Sequence, residues 1–328
     1  MNPFPILFSP IRIAGMELKN RIVMPAMATN FLTEGTVTER MIDYFRARAR
    51  GGAGLLVTEA ASVRAVPGSP LSRLHLNVSD DRFLPQLRAL ADAVHRDGGK
   101  IAVQLSHLGR QVASAFSGAV PVAPSAVPCP VTREVPKELS AVEIGEIVRD
   151  FVRGAVRVRE AGFDAVELHA CHGYLIGQFF SPLSNRRTDR YGGDAEGRSR
   201  FAVEIIRGIR EALGASFPVI ARINGEDGVP FLKAQGEADL IRPFFQSGPG
   251  ARADPGEKVR AGGSGMPVLQ GLFAEGLPVV QGQGVDEGPA GGAEEEHASA
   301  DGEMDAGTRL VLEKQPAGAL APDAWQVA

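Results

Sequence analysis

Short apolar runs and longer amphipathic segments alternate along the first two-thirds of the chain. Asn20–Met24, Gly54–Glu59, Lys100–Leu105, Ala165–His169 and Pro218–Ile223 read as buried strands, with Pro25 stopping the first. Between them, apolar residues recur at helical spacing. Met41, Ile42 and Phe45 mark a helix over Thr38–Arg50, with Thr38 as its N-cap and Gly51-Gly52 at its end. Phe83, Leu87, Leu90, Ala91 and Val94 mark one over Asp81–Arg96. Ser140 and Glu143 form a capping box that opens a helix running to about Ala161. Phe201, Ile205, Ile206, Ile209 and Leu213 share one face of a helix over Arg198–Leu213. Upstream, Ile11–Ile13 and Glu17–Lys19 flank Ala14-Gly15-Met16 and read as a hairpin that can plug the bottom of a barrel.

Strands alternating with helices predict a parallel sheet with helical crossovers. No G-x-G-x-x-G follows any of these strands, which argues against a doubly wound dinucleotide-binding sheet. The expected fold is therefore α/β of the (β/α)8 barrel type, incomplete, with the hairpin and five strands legible. Near Asp227 both periodicities stop. Residues 229–328 are rich in Gly, Pro, Ala, Gln and Glu and read as a low-order tail with no sixth, seventh or eighth strand. Two parts are expected, 1–228 and 229–328. The abrupt change near residue 228 suggests a shift of reading frame in the gene. The Pro- and Ser-rich connection Ser106–Glu138 is long for a compact domain and is expected to be functional.

Composition narrows the partners. The chain has 328 residues, of which 44% are hydrophobic and 23% charged, as in a soluble globular protein. A net charge of −4 without a basic block makes nucleic acid and anionic membrane poor partners. No run approaches the roughly 18 apolar residues of a membrane span, and the N-terminus lacks a signal-peptide pattern. A cytoplasmic protein is expected. The two cysteines, Cys129 and Cys171, cannot build a disulfide framework. Nothing in the pattern sets an oligomeric state.

In a barrel, chemistry collects at the C-terminal ends of the strands. Those ends deliver Pro25, Ala26 and Met27; Glu59 and Ala60; Gln104, with His107 and Arg110 beyond; His169, His172 and Tyr174; Arg222 and Asn224. Each has a bland alternative. An arginine there is more often an ion-pair partner, a strand glutamine is usually a satisfied polar group, and Cys171 fits a packing role. His169 and His172 could form a metal pair, although no carboxylate stands at a third-ligand spacing. A metal-dependent barrel hydrolase follows from that option. The loop from Ser181 to Gly193, with Arg186, Arg187 and Arg190, could be a solvated charged loop.

The stretch HACHGYLIGQFFSPLSNRRTDRYGG resembles the signature of the old yellow enzyme family, in its NADH:flavin oxidoreductase and 2,4-dienoyl-CoA reductase branch. NRIVMPAM, LLVTEAASV, VQLSHLGR and ARINGED resemble other landmarks of that family in the same order, so the resemblance covers about residues 5–228. It implies FMN as cofactor, NAD(P)H as reductant and an activated, α,β-unsaturated alkene as substrate. Pro25, Ala26, Met27 and Ala60 would lie against the flavin ring, Gln104 would bond its pyrimidine edge, and Arg222 would face its N1/O2 side. His169 and His172 would bind a substrate oxygen, and Tyr174 would protonate the substrate. Met27 stands where many relatives have Thr or Cys, and Gly197 where Asn is common. The loops after the seventh and eighth strands, which hold the FMN phosphate in the family, are not legible. A family member with impaired flavin binding is the corresponding alternative.

Overall fold

The structure, a computed structural model, describes residues 3–66 and 68–224. A hairpin of β1 (Ile11–Ile13) and β2 (Met16–Leu18) comes first, with Ile11 opposite Leu18 and Ile13 opposite Met16. There follow β3 (Val23–Met24), α1 (Glu39–Arg50), β4 (Leu55–Ser62), α2 (Pro70–Leu74) and β5 (Leu76–Asn77). Next come α3 (Leu84–Arg96), β6 (Lys100–Ser106), α4 (Ser114–Ser117), β7 (Val122–Ala123) and β8 (Lys137–Glu138). The series closes with α5 (Ala141–Glu160), β9 (Ala165–Ala170), α6 (Leu175–Phe180), α7 (Ala195–Leu213) and β10 (Val219–Ile223).

Strands β3, β4, β6, β9 and β10 lie side by side in chain order, all parallel. That is the strand order of the first half of a β/α barrel, as the alternation predicts. β5 adds two residues to the far end of β4.

The local signals act where the sequence places them. Thr38 caps α1 by accepting from the Met41 amide, and Ser140 and Glu143 close their capping box on α5. Several boundaries differ from expectation; β4 runs on to Ser62 and α7 begins at Ala195. The first strand is only Val23–Met24, because Asn20 is engaged in a local turn. Its side-chain oxygen accepts from Ile22 N at 3.0 Å and its amide donates to Gly52 O at 2.7 Å. Asp81–Phe83 is a separate 3-10 turn capped by Asp80 rather than the first turn of α3. The long connection after β6 holds α4 and the β7–β8 pair. The expected boundary at 228 and the tail 229–328 lie outside the described residues.

Period-two alternation divides each strand between two environments. Leu56, Ala61, Ile101, Val103, Leu105, Val166, Leu168 and Ala170 join the main core, which also takes the buried faces of α1, α3, α5 and α7. Burial of each large apolar side chain is worth about 1.5–3 kcal/mol. Phe201 of α7 is fully buried, edge-on to Phe151 of α5 at 6.3 Å and tilted on Phe179 of α6 at 4.5 Å. The opposite residues of the same strands, Leu55, Val57, Ala102, Ala165 and Ile220, form a second cluster with Ile11, Ile13, Met16 and Leu18. One small hairpin packed on the inward residues of four strands requires the sheet to curl around it. The hairpin is the floor of the barrel, as its sequence suggested. Gly15 seals it: its amide donates to Ser216 O at 2.9 Å, and a Cβ there would lie 2.6 Å from that oxygen. Among the described residues, no helix is long and apolar enough to cross a membrane.

Candidate active site

Two residues along from the floor, the inward face turns polar. Ala60, Gln104, Glu167 and Ile220 stand in one row, and His169 and Arg222 are paired one step further towards the C-terminal ends. β4 reaches this row through a bulge between Val57 and Ala60. The extra residue turns Ala60 inward and leaves Ala61 in the outer core.

Gln104 is buried and donates to Glu167 Oε1 at 2.6 Å. Burial raises the Glu167 carboxyl above its usual range, against the pull of Gln104 and Arg222. The bond fixes the Gln104 amide and leaves its oxygen and second N–H for the mouth. Arg222 donates to Ala26 O at 3.2 Å, which ties β10 to the Pro25–Met27 segment across the barrel. Glu59 holds the same segment further along, accepting from the Thr29 amide at 2.8 Å and from the Thr29 hydroxyl. Its own carboxyl is pushed up by burial. Glu59 is thus a brace for the backbone of Pro25, Ala26 and Met27.

The fourth strand end carries the densest chemistry. His169 Nε2 and His172 Nδ1 lie 3.0 Å apart, and the Tyr174 ring stands edge-on to His169 with centroids 4.5 Å apart. The chain returns on itself because His172 and Gly173 both take left-handed φ, 57° and 71°. Asn224 accepts from the His172 amide at 3.1 Å and pins that turn. Burial lowers the His169 imidazole to about 3, helped by His172 and Arg222, and lowers His172 as well. Both rings are therefore neutral at pH 7. Two neutral imidazoles joined by a mutual hydrogen bond offer a single outward N–H. Presenting two donors to one ligand requires His172, which is exposed, to turn away from His169. His169 Nδ1 is buried without a partner among the described residues.

Burial pushes the Cys171 thiol up to about 12, so it packs as a thiol and is no activated nucleophile. Burial also raises the Tyr174 phenol, keeping its proton at neutral pH. The ligand atoms of His169, Cys171 and His172 all lie within 4.8 Å of one another, which adds a third donor to the histidine pair.

Two expected mouth residues have other duties. Arg110 donates to Val127 O at 2.8 Å and Pro128 O at 3.1 Å, bracing the long connection rather than facing a ligand. His107 accepts from Gly109 N at 3.1 Å, and burial lowers it to about 4. It lines a side cavity of about 210 Å³ with Ser62, Arg64 and Leu108, which none of the other expected mouth residues lines. The Ser181–Gly193 loop is more than a solvated charged loop. Arg187 is buried, bonded to Asp189, Pro124 O and Leu139 O.

Gln178 carried no signal in the sequence. Buried on α6, it donates to Gly173 O at 2.7 Å and Leu108 O at 3.2 Å, and accepts from Arg110 N at 3.3 Å. It latches the loop after β6 to the turn that carries His172 and Tyr174. An amide facing two backbone carbonyls at once becomes visible only when both loops are folded.

The arrangement fits the ring of a flavin. Ala60, Gln104 and Arg222 share the inward face, Arg222 is bonded to the Ala26 backbone, and one His169 nitrogen is buried without a partner among the described residues. The loops expected to hold the flavin's phosphate, after the seventh and eighth strands, would lie outside the described residues.

Comparison with known proteins agrees. The sequence model of the NADH:flavin oxidoreductase / NADH oxidase family matches residues 6–245. The NADH oxidase of Thermoanaerobacter brockii is 48% identical over 231 residues, 70% of this chain and 35% of that protein. The chain thus spans about a third of the length of that relative. An NADPH dehydrogenase of Listeria innocua is 39% identical over 239 residues, 69% of each. Among solved structures, the old yellow enzyme homologue from Zymomonas mobilis superposes with a TM-score of 0.67 at 30% identity, covering 74% of this chain and 71% of that one.

Proposed function

Because this chain belongs to the NADH:flavin oxidoreductase / NADH oxidase family, we propose that it is an FMN-dependent oxidoreductase that takes hydride from NAD(P)H and reduces an activated alkene. Gln104, His169 and Arg222 on one inward face, with His172 and Tyr174 brought against His169 by the turn after β9, carry this reading. FMN would be held by the backbone of Pro25, Ala26 and Met27, by Ala60, Gln104 and Arg222. Bound there, it supplies the hydride chemistry that no side chain of the protein can.

The residues do the rest. Arg222, a fixed cation on β10, stabilises negative charge that develops beside it. His169 and His172 donate to the substrate's carbonyl or nitro oxygen, with His172 swinging out of its bond to His169. That contact draws electrons from the alkene and makes its β-carbon electrophilic. Tyr174 then gives its proton to the α-carbon, a step for which a positioned acid is worth about 10²- to 10⁴-fold. The high proton affinity conferred by burial keeps the phenol loaded until that step. Family membership favours this reading over a metal-dependent hydrolase.

The full chain, purified and supplied with FMN, should become yellow, bleach under anaerobic NADH or NADPH, and recover its colour on addition of an enone. Replacing Tyr174 by Phe should slow the second step far more than the first. Equal slowing of both would remove Tyr174 from the acid role, and a protein that stays colourless would overturn the flavin reading.

A further inference from the structure

We propose that His169, Cys171 and His172 form a binding site for a soft divalent cation of the zinc class, at the wall where the substrate oxygen would be held. Imidazole and thiolate are the donors such an ion selects. β9 ends at Ala170, and the left-handed turn at His172 folds that ring back over His169. The three ligand atoms lie within 4.8 Å of one another. The two ring nitrogens stand 3.0 Å apart. A tetrahedral ion with zinc–nitrogen bonds of about 2.0–2.1 Å needs about 3.3 Å between them, a small adjustment. His172 is exposed and can make that adjustment by turning its ring.

His169 is 6% exposed and presents to the cluster its Nε2, the nitrogen that is bonded to His172 Nδ1. Asn224 already fixes the His172 backbone through its amide, so the turn is set before an ion arrives. Binding converts the Cys171 thiol to a metal-bound thiolate and releases one proton to water, with no change of oxidation state. The nearby Arg222 opposes a cation, and the new thiolate charge offsets it. Three protein ligands leave a fourth position open, as in zinc sites that exchange ligands. Since the ion and a substrate oxygen would use the same imidazoles, zinc is expected to compete with substrate. That consequence rests on the flavin reading; the cation site itself does not.

The test is X-ray absorption at the zinc edge on the full chain, stripped with a chelator and given one equivalent of zinc chloride. The expected shell has one sulfur at about 2.3 Å and two imidazole nitrogens at about 2.0–2.1 Å. Cys171→Ser should remove the sulfur and weaken zinc binding at least tenfold against a competing chelator. His172→Ala, at an exposed position, should weaken it comparably without unfolding the chain. A shell of oxygen and nitrogen alone, or unchanged zinc affinity in both variants, overturns the site. A preparation that stays colourless with added FMN but still shows the sulfur shell sustains the cation site and removes only the flavin reading.

Discussion

The floor and the mouth of the barrel are built from the same strands a few residues apart, yet they follow opposite rules. At the floor, Leu55, Val57, Ala102 and Ala165 meet the hairpin's Ile11, Met16 and Leu18, and every inward atom is apolar. At the mouth, Gln104, Glu167, His169 and Arg222 occupy the next inward positions, and titrating groups are pushed from their ordinary ranges by burial. The floor contributes stability by removing apolar surface from water. The mouth gives some of that up, keeping Glu167 and His169 buried at the cost of desolvation. The outer face of the sheet, where Leu56, Val103 and Leu168 lie in the main core, supports both.

Four substitutions test that division, from the largest expected effect to the smallest. Tyr174→Phe should slow alkene reduction by about 10²- to 10⁴-fold while leaving the thermal midpoint nearly unchanged; single-turnover kinetics and a melting curve together read it. A large loss of stability would mean that the mouth also holds the fold. Leu18→Ala should do the reverse, costing about 2–5 kcal/mol in denaturant unfolding with little change in rate per folded molecule. Gln178→Leu breaks the separation deliberately. It leaves the Gly173 carbonyl without its donor and the Arg110 amide without its acceptor, while Leu108 O keeps its bond from Gln111 N. Each unsatisfied group costs about 1–3 kcal/mol, and the turn beneath Tyr174 is released. Stability and the alkene step should fall together, whereas loss of stability alone would make the latch purely structural.

The smallest effect concerns pH. His107 is lowered to about 4 by burial, against about 6.5 in an unfolded chain. Between those values the unfolded chain binds a proton that the folded chain does not, so stability falls as pH falls from about 6.5 towards 4. His107→Gln should flatten the melting temperature over that window. An unchanged slope would assign the acid sensitivity to His75, His169 and His172, whose imidazoles are lowered in the same direction.

Much of this was legible in the chain. Strand and helix alternation, the Thr38 and Ser140 caps and the apolar faces of α1, α3, α5 and α7 follow from side-chain period and from hydrogen bonds spanning three residues. The clustering of polar residues at strand ends was equally visible, because a parallel sheet of alternating units puts those ends on one side. Arg110 and Arg187 were not legible. Whether an arginine meets a ligand or a backbone carbonyl depends on loops that fold over it from elsewhere.

The sequence by itself therefore determined the hairpin, the five main strands, the four long helices and the buried face of each, since those follow from local period and local capping. The short elements α2, α4, α6, β5, β7 and β8 were not visible in it. The tertiary structure decided the pairings across long separations. Gln104 meets Glu167 63 positions away, and Arg222 meets Ala26 196 positions away. It also set the bulge that turns Ala60 inward and the left-handed turn that folds His172 over His169. Those features depend on the register of neighbouring strands and on the space left by the packed core, and no short stretch of sequence encodes either one alone.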